Sequence, residues 1–100
     1  MTYLDELAED LARRLPRHLL PEDQDTGLLL RLYVLLALVK GGKVTAVDVH
    51  DAWSVWMTER NPNHPSLRPF HLLDAETQQS DEPFAEAIRE LATRLADRGT

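Results

Sequence analysis

Cysteine is absent from these hundred residues. That excludes disulfides and thiolate metal sites, and it suits a reducing compartment, so a cytoplasmic protein is expected. Positive charge is scarce: eleven Lys and Arg face seventeen Asp and Glu, for a net charge of −6 and a sequence pI near 5.1. The cations are scattered along the chain. A surface of that kind repels a phosphate backbone, so no nucleic-acid partner is expected. Long hydrophobic runs are also missing. The most apolar stretch, Leu28 to Val39, is interrupted by Arg31 and falls well short of the ~20 residues a membrane span needs. The start, Met1 to Glu6, has neither a basic nor a long apolar segment, so no signal peptide is expected. Glycine numbers only four, and the pair Gly41-Gly42 follows a helical pattern rather than a strand. It reads as a helix cap and not as a phosphate-cradling loop.

What is present is a helical pattern in one domain, residues 1 to 100, with 43% hydrophobic content. Leu4, Leu7, Leu11 and Leu15 recur at three and four residues and predict a first helix from Thr2 to Leu15, closed by Pro16. A connector with Pro21 and an acidic cluster leads to a cap near Asp25 or Thr26. The second helix, Thr26 to Lys40, is apolar almost all round and is therefore expected at the centre, covered on several sides. Thr45-Ala46-Val47-Asp48 resembles a capping box with Asp in place of Glu, opening a third helix from Ala46 to Glu59. Its buried side is expected to carry Val49, Ala52, Trp53 and Trp56, with Trp53 in the core and Trp56 half exposed. A proline-rigid loop follows, then a short helix capped by Asp74. A last helix begins at Asp81-Glu82-Pro83, shows the stripe Phe84, Ile88, Leu91, Leu95, and ends at Gly99. No strand pattern or internal repeat survives. The expected fold is all-α: a small four-helix bundle with an extra short helix and a Pro-rich loop.

That loop, "NHPSLRPF", is unusual in composition for a connector. Together with "VHDAW" before it and "LLDAETQQSDEPFAEAIREL" after it, it resembles the RyR domain, the repeat module of ryanodine receptors that also occurs in bacterial and phage proteins. The resemblance runs from Val44 to Leu95 and falls on His50, Trp53, His64, Pro65, Leu67, Pro69, Phe70, Leu73, Gln78, Asp81 and Ile88. The segment "SVWMTERNPN" lacks the Gly-Trp-Tyr-Gly-like stretch of the receptor repeats, and those repeats come in tandem where this chain carries one copy. The resemblance implies a helical recognition module without enzymatic activity or cofactor. Its settings would be sensing of a nucleotide-like small molecule, or an adaptor role in a bacterial signalling or phage-conflict system.

Residue chemistry narrows the candidates to Arg68, His64, Trp56, His50 and Phe70 as contacts for a ligand or partner. Arg68 could hold a small anion stacked on Trp56, or else pair with Asp81 or Glu82. His64 would be displayed on the loop, and Phe70 would plug the bundle as the loop's anchor. For His50 the favoured reading is an imidazole that bonds a loop carbonyl and pins the Pro-rich segment. The competing one is an acid–base enzyme using His50 with Asp51 or Asp81, against which no nucleophile stands at a readable spacing. Asp48, His50, Asp51, His64 and His71 contain no His pair at i,i+4, so no metal site is expected. Tyr3, Leu19, Leu20 and Trp56 are left over as large apolar groups. They raise the expectation of an exposed patch, and with the single copy they suggest a homodimer.

Overall fold

Helix α1, Tyr3–Arg14, starts where Thr2 and Asp5 cap each other: the Asp5 carboxylate accepts from the Thr2 backbone N–H at 3.0 Å. It ends before Pro16, which cannot continue the ladder of backbone bonds. The computed structural model describes residues 2–20 and 26–98; the expected connector cap at Asp25, Pro21 and the Gly99 stop lie outside them. Helix α2 spans Thr26–Lys40, α3 spans Ala46–Arg60, α4 is the short Ala75–Gln79, and α5 runs Glu82–Arg98. Single 3-10 turns at Arg17–Leu19, Gly41–Lys43 and Phe70–Leu72 join them, and no strand occurs among the described residues. The fold is a small all-α bundle of four main helices and one short one.

The ends were written in the caps. Gly41 takes the left-handed conformation, φ +60°, that stops α2, while Gly42 does not need it. The Asp48 carboxylate accepts from the Thr45 backbone N–H at 2.9 Å and from Lys40 Nζ at 2.8 Å. Burial works to raise that carboxyl, but the bonds from Lys40 and Thr45 prevail and hold it below its usual range. One aspartate thus closes α3 at its start and ties it to the end of α2.

Helix α2 packs against α1, α3 and α5. Its Leu29, Tyr33, Val34 and Ala37 meet Leu11 of α1, Val49 of α3 and Ile88 and Leu91 of α5 in one core. Asp10 of α1, itself buried, accepts from Arg14 at 3.1 Å and forms ion pairs with Arg94 of α5 at 3.2 Å and Arg13 at 3.9 Å. An acid in that position is tolerable because three guanidiniums surround it.

Coverage of α2 is one-sided, which corrects the expectation of a helix enclosed on several sides. Leu28, Leu35 and Val39 are 50%, 52% and 72% exposed, on the side opposite the buried residues. The expected leftover groups are distributed differently as well. Tyr3 is exposed, but Trp56 is buried and Leu20 packs onto the core. Among the described residues the largest share of exposed apolar groups therefore belongs to α2. No helix of the described residues is long and apolar enough to cross a membrane.

Candidate functional site

His50 sits in the second turn of α3 with 3% of its surface exposed. Its Nε2 lies 2.7 Å from the backbone carbonyl oxygen of Arg68. A carbonyl only accepts, so Nε2 carries the proton in that bond and Nδ1 is the nitrogen turned away from it. This is the bond to a loop carbonyl expected for a pinning histidine. The loop is held a second time by Gln78 of α4, whose amide donates to the carbonyls of Phe70 at 3.0 Å and Leu73 at 3.1 Å. Inside the loop, His64 Nδ1 accepts from the Ser66 N–H at 3.0 Å. Asp74 caps α4 by accepting from the Thr77 N–H at 2.8 Å, which orients Gln78 in turn.

Between the pinned loop, α2, α3 and the start of α5 opens a cleft of about 350 Å³. Trp53, Tyr33 and Phe84 supply apolar walls, with Tyr33 and Phe84 in ring contact at 5.6 Å. Ser66, Thr77 and Ser80 add hydroxyls, and His18 and Leu19 stand on the side of the connector. His50 and Asp81 line it together, Nδ1 to Oδ2 at 3.9 Å, beyond hydrogen-bond reach. Burial pushes the Asp81 carboxyl up to about 6, a rise that neighbouring His50 partly offsets. Burial likewise pushes the Tyr33 phenol upward, helped by the Asp81 charge, so Tyr33 stays neutral. Among the described residues no three metal-ligating side chains come together.

Of the five residues expected at a site, the structure brings only His50 to this cleft. Arg68 is exposed, makes no ion pair with Asp81 or Glu82, and contributes its carbonyl; Glu82 pairs with Arg89 at 3.0 Å instead. His64 is half-buried with its ring edge-on to Trp53 at 5.0 Å, so it supports the tryptophan and is not freely displayed. Phe70, half-buried, turns its ring against His50 at 6.1 Å as an anchor. Trp56 is 3% exposed and lies under the Arg60 guanidinium, in a groove with Leu28 and Leu32 of α2. It cannot stack an anion held by Arg68.

The two tryptophans thus exchange their expected places. At 3.6 residues per turn, Trp56 falls about 20° from the direction of Val49 and Trp53 about 40° on the other side. Seven residues beat four as the spacing that stays with the core.

With this geometry in hand, the sequence comparison adds one fact. The chain belongs to the family described as a domain of unknown function, DUF7701, which matches residues 2–93. No curated protein and no solved structure matches it significantly. The family match takes in every helix that builds the cleft.

Two outcomes are expected of the His50–Asp81 pair. Replacing His50 by Ala leaves the Arg68 carbonyl without its donor and lowers stability by about 1–3 kcal/mol in urea unfolding. Asp81 binds its proton more tightly folded than unfolded. Stability of the native protein relative to Asp81→Asn therefore falls as pH rises through the window from the ordinary 3.8 to about 6, and is flat above it. Urea melts of both proteins across that window read the difference directly. A difference that rises with pH would contradict it.

Proposed function

We propose that this protein is a cytoplasmic, non-enzymatic ligand-binding module of RyR-like type, and that its ligand occupies the cleft between the pinned loop, α2, α3 and α5. The observation that carries the reading is the cleft itself, lined by aromatic walls and by the partly buried Asp81. Ligand sites are typically concave and apolar with a few placed polar groups. The loop beside it is pre-ordered by His50 and Gln78, so little ordering entropy is lost on binding. The same geometry argues against the acid–base enzyme. Nε2–H of His50 is committed to a backbone carbonyl, Asp81 stands beyond hydrogen-bond reach, and the Ser54 hydroxyl donates to the His50 carbonyl at 2.8 Å.

A thermal-shift screen across nucleotides, amines, small acids and neutral heteroaromatics is the direct test. A ligand at a hundred times its Kd adds about 2.7 kcal/mol. In a domain of this size that raises Tm by roughly 10–20 °C. Ser66→Trp, which fills the cleft from the loop side, is expected to abolish the shift while keeping the helical spectrum. A screen in which no class raises Tm would overturn the reading.

The open stripe of α2 favours a second reading, a protein–protein adaptor whose first partner is another copy of the chain. Leu28, Leu35 and Val39 continue into the groove that Leu32, Val55 and Trp56 form on the α3 side. An unpartnered apolar helix face is the kind of patch that marks an interface. Sedimentation at tens of micromolar is expected to show a concentration-dependent species of twice the 11.4 kDa monomer mass, lost in Leu35→Glu. A single monomeric species at every concentration would remove the dimer.

A further inference from the structure

Charge is distributed around the cleft in a one-sided way. Among the described residues no Lys or Arg lines it, and Asp81 is the only carboxylate that does. Most of the described cations are used elsewhere: Arg13, Arg14 and Arg94 on Asp10, Arg31 on Asp5, Lys40 on Asp48, Arg89 on Glu82 and the Val44 carbonyl. Arg68 is turned to solvent.

Among the described residues no hydrogen bond reaches the Asp81 carboxylate, and its side chain is only 16% exposed. His50 cannot serve as its counter-ion without cost. Its Nε2–H is spent on Arg68, so pairing would require a second proton on a ring that is almost wholly buried. The carboxylate is thus poorly watered, lacks a donor, and shares the cleft with the rings of Trp53, Tyr33 and Phe84. An anion brought here meets Asp81 with no guanidinium or ammonium to offset it. A cation meets a carboxylate and aromatic faces, both of which attract it.

Resting on the cleft as the ligand site, we infer that its ligand is a small organic cation, an arylalkyl-ammonium or similar amine, with its nitrogen at Asp81 and its apolar body against Trp53, Tyr33 and Phe84. The volume, near the lower end of the ~300–1,000 Å³ common for ligand pockets, limits the body to about one ring and a short chain. The nitrogen supplies the donor that Asp81 lacks. Thr77, Ser66 and Ser80 surround the remaining polar edge; Ser80 donates to the Thr77 carbonyl at 2.6 Å and is left as an acceptor.

Three probes of one shape separate the charge from the ring: 2-phenylethylamine, 2-phenylethanol and phenylacetate, titrated into the whole chain and followed by amide chemical shifts. The amine is expected to bind at least tenfold tighter than the alcohol, with the acid undetectable. Asp81→Asn, with its fold checked by circular dichroism, should bring the amine down to the level of the alcohol. Trp53→Leu should weaken amine and alcohol together. The inference is overturned if the acid or the alcohol binds as well as the amine, or if Asp81→Asn binds it unchanged. It is equally overturned if none of the three binds. In that case a nucleotide or acid that raises Tm in the wider screen keeps the ligand-binding reading and removes only the cation; no binder in either removes both.

Discussion

A single hydrogen bond, from His50 Nε2 to the Arg68 carbonyl, decides where the Pro-rich loop lies, and the cleft exists because of where it lies. Proline fixes φ at Pro65 and Pro69 but gives the loop no attachment of its own, since proline offers no N–H to bond with. Attachment has to come from the bundle. His50 reaches it from α3 and Gln78 from α4, and the Phe70 ring rests edge-on against His50. The cost is that an imidazole is buried, and burial is acceptable because its proton has a partner. Trp53 stacks on that imidazole and His64 meets Trp53 edge-on, so the aromatic wall is braced by both histidines.

The second constraint is the composition of α2. A helix apolar on every side can be covered in full only if enough surface surrounds it, and a chain of this length has three long neighbours to offer. They take the side of Leu29, Tyr33 and Val34. What is left is Leu28, Leu35 and Val39, a stripe that packing cannot reach. The cleft and the stripe lie on different surfaces of α2, with Tyr33 belonging to the first and Leu28 to the second. A ligand and a partner could therefore be held at once, and α2 is the element they would share.

Much of the fold was legible because helix ends are local chemistry. Thr2 with Asp5, Thr45 with Asp48, Asp74 with Thr77 and the left-handed Gly41 all sit where the letters place them. The His50 pin was legible too, through its place beside the loop. Side-chain direction was less so. Trp53 and Trp56 differ by three residues, and a rotation of about 60° decides which one meets the core. The cleft was hardest to see, since Tyr33 comes from α2, His50 and Trp53 from α3, and Asp81 from the turn that opens α5. One signal was available. Tyr33 is the only hydroxyl in the run Leu28–Val39, and a lone polar head on an apolar helix needs somewhere to point.

Asp81 gathers these strands. Its backbone opens α5, accepting from the Ala85 N–H at 3.1 Å, so its position is set by the bundle and not by the cleft. The side chain is then left where burial opposes its charge and no donor relieves it. A fold that needed only a cap there could use Ser or Asn, which start helices as well without bringing a charge inside. Keeping a carboxylate at that point costs stability at neutral pH. Costs of this kind concentrate at functional sites, because a group left unsatisfied by its own protein is free to be satisfied by something else. Here that group shares a cleft with three aromatic rings and, among the described residues, with no Lys or Arg. The unmet demand of Asp81, more than the size of the cavity, is what the proposed ligand site rests on.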